Sequence, residues 1–380
     1  MTRRAPHSRR KLAAGALLAW ATAIAPAAQA ADLPIVSIQA MTGPVAFAGT
    51  IFQQAIRMAV DEANAKGGIH GNRIALIERD NGSDKGQAIN LANQAINRDR
   101  ALLVLGPTTT ADSLAVAPLF NDKRVPFLGL GGSDNILKAG PWSLKFRQGT
   151  DVDGPILAKY VLEKTPARKV ALVFDRSNDA LIEFKNIFRD AFKAGGGTVV
   201  AEEAVVSSDS NFLPLVTKLK AMDIDAVYLT SYAEQSGNIV KQLRQAGLPE
   251  KVRILGSLAI ASPKFIGVAG PAAEGVIAVS EYVPGMDRPL NKTFDAAYRA
   301  RYKIEPDSYA AMGYSLAKVM LATLEEAGPD PTHEKVRDAY MRLKNVPVPV
   351  ASGTWTHADR HPHYGALVLT VKNGQFTVAP

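Results

Sequence analysis

Two short loops carry residues that are suited to holding an anion. Residues 106–110 are Gly-Pro-Thr-Thr-Thr, and residues 129–133 are Gly-Leu-Gly-Gly-Ser. Glycine lets the backbone approach a ligand closely, while the Thr and Ser hydroxyls can donate hydrogen bonds. A helix that begins after such a loop adds unpaired N–H groups and a partial positive charge. The two loops therefore predict a site for a small carboxylate.

The elements around these loops predict a parallel sheet. Apolar runs typical of strands alternate with helical patterns from residue 33 onward, with strands expected at 33–38, 74–79, 101–105 and 125–128. This alternation is typical of a parallel sheet covered by helices on both faces. Parallel strands end at one shared edge, where open α/β folds bind ligands. We therefore expect the two loops to converge.

A second alternating series follows a change of composition near residues 147–155. Its strands are expected at 170–174, 198–206, 226–230, 254–256 and 275–279. Three helices follow, at 290–301, 307–327 and 333–343, and residues 355–378 have the pattern of short strands. With 47% hydrophobic residues, the chain is apolar and long enough to form two α/β domains.

The first thirty residues have the pattern of an export signal. Basic residues at the start precede a short apolar run at 12–24, and Ala28-Gln29-Ala30 is a small-residue cleavage site. The apolar run is too short to span a bilayer comfortably. We expect cleavage after Ala30 and a periplasmic location. The leader fits export by the Sec route. It also fits the twin-arginine route, since residues 8–12, Ser-Arg-Arg-Lys-Leu, resemble a twin-arginine signal.

The mature chain is only mildly basic. The full sequence has 44 basic and 36 acidic residues, a net charge of +8, and the leader holds five of the basic residues and no acidic ones. Its removal leaves a net charge of +3, which is too small and too dispersed for nucleic acid or an anionic membrane. The chain has no cysteine, so disulfides and a cysteine-linked lipid are excluded.

One segment carries a specific family resemblance. Residues 61–72 are Asp-Glu-Ala-Asn-Ala-Lys-Gly-Gly-Ile-His-Gly-Asn, and residues 41–44 are Met-Thr-Gly-Pro. Together they closely resemble the periplasmic binding proteins for leucine, isoleucine and valine, which are type I solute-binding proteins of ABC transporters. The resemblance extends over the mature chain. It implies an α/β fold of two doubly wound parallel-sheet lobes, joined by three crossovers, with the ligand enclosed between them.

The resemblance also implies how the chain divides. The crossovers are expected near residues 147–151, 279–283 and 351–355. Residues 1–30 are then the signal peptide, 31–149 plus 281–353 the N-terminal lobe, and 150–280 plus 354–380 the C-terminal lobe.

Ligand residues follow from the same resemblance. The hydroxyl that holds the ligand carboxylate falls at Thr110, with Thr109 as an alternative. The cradle of backbone and hydroxyl groups falls on Gly131, Gly132 and Ser133.

In the second lobe, one residue matches the family's ligand residues and one differs from them. The tyrosine that closes over the ligand falls at Tyr232. However, Leu258 stands where amino-acid binders place an acidic residue against the ligand ammonium, and the Tyr-Gly element usual near residues 178–180 is absent. Burying an ammonium without a counter-charge costs several kcal/mol. We hypothesise that the ligand is an aromatic or aliphatic acid without an amino group. A branched-chain amino acid is the second candidate.

Each of these residues also has a purely structural interpretation. The threonines at 108–110 fit a helix cap, and residues 129–133 fit a tight turn. Tyr232 fits a half-buried wall and Leu258 a core position. Phe47, in the loop after the first strand, either lines the pocket or packs against the next helix.

Other motifs do not have the spacing of a metal or catalytic site. Asp80 and Asp84 match no EF-hand, and the histidines at 357, 361 and 363 match no zinc motif. Gly-Tyr-Ser-Leu-Ala at 313–317 is close to a nucleophile elbow but lies inside a helical run, which indicates packing. We expect no metal, no cofactor and no enzymatic activity.

These expectations combine into one function. The chain is expected to be a monomeric, exported solute-binding protein that captures a small-molecule carboxylate and presents it to an inner-membrane ABC permease. The alternative is a periplasmic sensor that presents its bound ligand to a signalling receptor. No nucleic-acid partner is expected.

Overall fold

The computed structural model describes residues 1–2, 32–149 and 151–380, so the predicted signal peptide lies almost entirely outside the described residues. In chain order the strands are β1 Asp32–Gln39, β2 Arg73–Asp80, β3 Leu103–Leu105, β4 Phe127–Gly129, β5 Ser143–Lys145, β6 Lys169–Asp175, β7 Thr198–Val205, β8 Ala226–Thr230, β9 Arg253–Gly256, β10 Ile277–Ser280, β11 Val346–Pro347, β12 Thr354–Ala358, β13 His361–His363, β14 Leu367–Lys372 and β15 Gln375–Val378.

The α-helices alternate with these strands. In chain order they are α1 Ala46–Ala65, α2 Lys85–Asn97, α3 Thr110–Asp122, α4 Asp153–Lys164, α5 Asp179–Ala194, α6 Leu213–Lys220, α7 Ala233–Gln245, α8 Pro263–Ala269, α9 Pro289–Tyr302, α10 Ser308–Ala327 and α11 His333–Arg342. Short 3₁₀ turns lie at Asp134–Ala139, Leu258–Ile260 and Gly270–Ala273. Within the described part of the chain, no helix is both long and apolar enough to cross a membrane.

The first lobe is built on a five-stranded sheet in the order β2-β1-β3-β4-β5, and every pairing in it is parallel. Its central strand, β3, is short and wholly apolar, as expected for a strand buried on both faces. One face packs against α1, α10 and α11, and the other packs against α2 and α3. The predicted doubly wound arrangement is confirmed for this lobe.

The second lobe is built on a seven-stranded sheet in the order β15-β14-β10-β9-β8-β6-β7. The five strands β6 to β10 pair in parallel, whereas β14 and β15 add antiparallel strands at one edge. Helices α6, α7 and α8 cover one face, and α4 and α5 cover the other.

Helix α10 returns to the first lobe and packs closely on α1. A side chain at Gly313 would place its Cβ 2.7 Å from the Phe52 carbonyl oxygen and 2.9 Å from the Phe52 Cα. Glycine is therefore needed where the two helices meet. This contact accounts for the motif that resembles a nucleophile elbow, because its residues are buried in helix packing.

The third crossover lies later in the chain than the sequence predicts. Strand β12 pairs with β11, and β13 pairs with β12, so neither strand joins the sheet of the second lobe. Trp355 is fully buried in the core of the first lobe, and its Nε1 donates to the carbonyl oxygen of Phe146 at 2.9 Å. Placing all residues from 354 onward in the second lobe is therefore wrong; only β14 and β15 join that sheet.

The burial of Trp355 gives a stability prediction. Trp355→Ala should lower the free energy of unfolding by about 3–5 kcal/mol, because it opens a large cavity and removes the partner of a buried carbonyl. Trp355→Phe is the matched control, since it keeps most of the apolar ring and loses the N–H donor. Urea denaturation measures both; a loss below about 1 kcal/mol for the alanine variant would contradict the placement of this residue.

Candidate functional site

A cavity of about 540 Å³ lies between the two lobes. Seven of the residues that the sequence singles out line it: Phe47, Thr109, Thr110, Gly131, Ser133, Tyr232 and Leu258. The first lobe contributes the carboxyl edge of its sheet and the start of α1 and α3, whereas the second lobe contributes the start of α5. Gly132 is the one predicted ligand residue that does not line the cavity.

The two predicted loops are bonded to each other. Thr109 caps α3 by accepting a hydrogen bond from the backbone N–H of Asp112 at 3.1 Å, so the capping interpretation holds for this residue. The Thr110 hydroxyl oxygen accepts from the Gly132 N–H at 3.1 Å. Each hydroxyl still has its own O–H to donate. The first turn of α3 also has unpaired N–H groups at this edge.

The glycine loop needs small residues because it passes close to α3. A Cβ on Gly131 would lie 2.9 Å from the Thr110 Cα and 2.6 Å from the Cδ1 of Ile136. Ser133 accepts from the N–H of Asn135 at 3.3 Å and so caps the 3₁₀ turn that follows. This hydroxyl, too, can still donate its proton to a ligand.

Gly132 holds the glycine loop in place through two hydrogen bonds of its backbone. Its N–H binds Thr110, and its carbonyl oxygen accepts from the Nζ of Lys145 at 2.8 Å. Lys145 is fully buried and also pairs with the carboxylate of Asp134. Burial lowers the pKa of Lys145, and the hydrogen bond to Asp134 opposes only part of that shift. The sequence does not single out Lys145, because it is a lone charge in an apolar strand.

Aromatic rings from both lobes meet in the cavity. The ring of Phe47 lies edge-on to the rings of Tyr232, at 5.6 Å between centroids, and Tyr309, at 5.7 Å. Phe47 is 46% exposed, which places it on the wall and not beneath its helix. Because Phe47 belongs to the first lobe and Tyr232 to the second, the two lobes touch across the cleft.

The hydroxyl of Tyr232 is held by the second lobe. It accepts a hydrogen bond from the Nδ2 of Asn178 at 3.1 Å, while the Asn178 Oδ1 caps α5. Burial raises the pKa of Tyr232, and the bond from Asn178 opposes that shift. Asn178 occupies the segment where the sequence lacks the expected Tyr-Gly element. Its amide fixes the ring of Tyr232 against the cavity.

Leu258 is both a core residue and a wall residue. It is 7% exposed, belongs to an apolar cluster that includes Phe184, and lines the cavity with it. The second lobe also brings two carboxylates to the wall that the sequence does not single out, Asp179 and Glu183. Asp179 is exposed, and Glu183 has an interaction partner of its own. An acidic residue is therefore absent from the position of Leu258 but not from the whole cleft.

The first crossover adds a buried charge. Arg147 lines the cavity, and its Nε lies 3.8 Å from the Oε1 of the buried Glu281. The Oε1 of Glu281 also accepts from the hydroxyl of Tyr364 at 2.9 Å. The Nε2 of Gln148 donates to the carbonyl oxygen of Gly365 at 2.8 Å. These bonds join all three segments that pass between the lobes.

The cavity has no arrangement typical of metal binding. No group of three or more His, Cys, Asp or Glu residues within the described ranges could hold a metal ion. Asp80 accepts hydrogen bonds from the N–H groups of Met41 and Gly82 and thereby stabilises a turn. The hydroxyl donors and aromatic rings of the cleft are suited instead to a ligand that has hydrogen-bond acceptors and an apolar body.

Comparisons with known proteins agree with this architecture. The family model for the periplasmic binding proteins matches residues 32–375. The Leu/Ile/Val-binding protein of Escherichia coli K12 is 29% identical over 345 residues, which cover 90% of this chain and 91% of that protein.

Solved structures show the same fold. The branched-chain amino acid transporter substrate-binding protein LivJ of Streptococcus pneumoniae, in complex with isoleucine, is 26% identical with a TM-score of 0.80, covering 92% of this chain and 98% of that one. A solute-binding protein of an ABC transporter from Rhodopseudomonas palustris BisB5, in complex with 3,4-dihydroxybenzoic acid, is 23% identical with a TM-score of 0.79, covering 91% and 95%. The chain therefore belongs to the periplasmic binding protein family, as a type I solute-binding protein of ABC transporters.

Proposed function

We propose that this protein captures a small organic acid between its lobes and presents it to an inner-membrane ABC permease. An aromatic acid is favoured, an aliphatic acid follows, and a branched-chain amino acid is the next candidate. The observation that carries this proposal is a cavity with hydrogen-bond donors at one sheet edge and aromatic rings from both lobes beyond it. Such a wall suits a ligand with one acidic head and an apolar body.

The fold alone does not choose between these ligands. Among proteins with this fold, LivJ holds isoleucine and the R. palustris protein holds 3,4-dihydroxybenzoic acid. The choice for this chain therefore depends on its own cavity residues. Leu258 and Phe184 give the second lobe an apolar surface at the position where an ammonium partner would be needed.

The acidic head is assigned to the first lobe. The hydroxyls of Thr109, Thr110 and Ser133 can each donate to a carboxylate, and the N-terminus of α3 adds a favourable dipole. Hydrogen bonds to a charged group contribute about 1.5–3 kcal/mol each. Several of them offset the cost of moving the carboxylate out of water.

Closure is driven by contacts that the ligand makes with both lobes together. A ligand shifts the open–closed equilibrium only by its differential affinity for the two forms. We assign residues 32–149 and 281–363 to the first lobe and residues 151–280 and 367–380 to the second, which leaves three short segments to act as the hinge. The leader is assigned as a signal peptide cleaved after Ala30, by the Sec or twin-arginine route, and the mature protein as a monomer.

Titration calorimetry of the mature protein tests the ligand class. The panel is benzoate, 3-phenylpropenoate, 4-methyl-2-oxopentanoate and leucine. We expect at least one of the acids to bind with a micromolar or lower Kd, equivalent to about −8 kcal/mol. Leucine should bind at least about 100-fold more weakly, because its ammonium is desolvated beside Leu258. Leucine binding as tight as that of the best acid would refute the proposed ligand class.

A substitution at Leu258 tests which surface meets the ligand body. Leu258→Glu should weaken binding of the best acid by at least about tenfold, since it adds a like charge and polar surface to the wall. Leu258→Met is the matched control because it nearly conserves volume and polarity. Calorimetry gives the affinities, and thermal unfolding checks that both variants are folded. An unchanged affinity in a folded glutamate variant would place Leu258 away from the ligand.

Two substitutions separate the ring of Tyr232 from its hydroxyl. Tyr232→Ala should raise the Kd about 10–100-fold, because the second lobe loses the ring that faces Phe47. Tyr232→Phe keeps the ring and removes the bond from Asn178, so we expect a change below about tenfold. Equal losses in both variants would mean that the hydroxyl, not the ring, binds the ligand.

A further inference from the structure

Arg147 is the one cation among the described residues that line the cavity. The strand register places it beside the glycine loop. Gly129 pairs with Lys145, and the N–H of Phe146 donates to the carbonyl oxygen of Gly129 at 3.0 Å. Gly131 and Arg147 each stand two residues after this last paired position, and both line the cavity. The guanidinium and the predicted carboxylate cradle therefore belong to the wall of one cavity.

The donors of this guanidinium are unused within the described residues. An arginine side chain has five N–H donors, and that of Arg147 is only 20% exposed. Its polar partner is Glu281, but the distance of 3.8 Å between Nε and Oε1 exceeds that of a hydrogen bond. None of its nitrogens is among the buried side-chain atoms of the described residues that lack a hydrogen-bond partner, and the side chain lines the cavity. An acceptor that occupies the cavity can therefore reach donors that no other described residue takes up.

The carboxyl groups behind Arg147 do not take up its donors. The Oε1 of Glu281 accepts from Tyr364, whereas its Oε2 is buried without a hydrogen-bond partner. Burial raises the pKa of Glu281, and burial together with the charge of Glu281 raises the pKa of Asp153 well above its usual range. Burial disfavours the charge of Arg147, but attraction to Glu281, together with smaller attractions to groups nearby, outweighs it and raises the pKa of Arg147. Asp153 is shifted toward its neutral form, so one carboxylate faces the guanidinium from this side, at more than a hydrogen-bond distance.

The positive charge of Arg147 also acts on the tyrosines that line the cavity. Burial raises the pKa values of Tyr232 and Tyr309, and the positive charge of Arg147 lowers both. Arg147 is therefore within electrostatic reach of the rings that the ligand body would contact. A ligand whose head is at Arg147 can place its body against the rings of Phe47 and Tyr232.

We infer that Arg147 is the charged partner of the ligand carboxylate and makes the cleft select an acid over its neutral carboxamide. This inference rests on the proposed function, since it assigns one more residue to the same site. The planar guanidinium offers two parallel N–H donors to the two oxygens of a carboxylate. Thr110 and the glycine loop line the same cavity, so the hydroxyl and the guanidinium are assigned to one head group.

The test compares an acid with its amide in three proteins. The probe is the acid of the calorimetry panel that binds the wild type most tightly, with its carboxamide as the neutral analogue. The double variant Arg147→Gln, Glu281→Gln removes the pair without leaving a buried charge alone. Glu281→Gln is the matched control, because it removes the same carboxylate and keeps the guanidinium. Thermal unfolding and circular dichroism establish folding.

The expected result is a loss of selectivity in the double variant alone. Its affinity for the acid should fall about 10–100-fold, which corresponds to one charge-assisted contact, while its affinity for the amide stays within about threefold. Glu281→Gln should keep the preference for the acid. Equal losses of acid and amide, or a preference that survives in the double variant, would make Arg147 a hinge residue only and overturn the inference.

Two further outcomes keep the inference separate from the proposed function. If the wild type binds no acid of the panel, the proposed function fails, whatever the role of Arg147. If the double variant does not fold, a crystal structure of the wild type with the best acid decides. A carboxylate within about 3.2 Å of the guanidinium nitrogens supports the inference, and a carboxylate bound by the threonine and glycine loops alone contradicts it.

Discussion

The shared carboxyl edge of β3, β4 and β5 is the constraint on which the site depends. Three parallel strands in register end together, so the segments that follow them must lie side by side. That edge brings Thr110, Gly131 and Arg147 to the wall of one cavity. Close packing then excludes a side chain at Gly131, and the bond between Thr110 and Gly132 fixes the spacing of two loops. The donors are thus positioned before a ligand arrives.

Buried polar bonds between the three segments that join the lobes are a second constraint. The chain passes between the lobes three times, and buried polar groups join those passages: Gln148 binds Gly365, and Glu281 binds Tyr364. Such groups are costly unless they are paired, so they favour one arrangement of the three segments. Arg147 lies at the same place and faces the cavity. The polar cluster between the lobes therefore reaches the wall of the cavity at Arg147.

Local patterns were sufficient to predict the two α/β series and the loops at the sheet edge, because strand and helix periodicity depends on neighbouring residues. Long-range contacts were not predictable in this way. The pairing of β12 with β11 depends on Trp355 reaching Phe146. Likewise, Arg147 gains its position from a meeting of three distant segments, and no spacing in the sequence marks it. Asp179 reaches the cavity only because α5 begins there.

The central claim is that the cleft encloses an organic acid that has no amino group. Mass spectrometry of the small molecule released from mature protein, purified under mild conditions from its native periplasm, tests this most directly. The account predicts one predominant monocarboxylate with an aromatic or branched aliphatic body and no nitrogen. Release of leucine, isoleucine or valine in stoichiometric amount would contradict it, because a buried ammonium would then be bound beside Leu258.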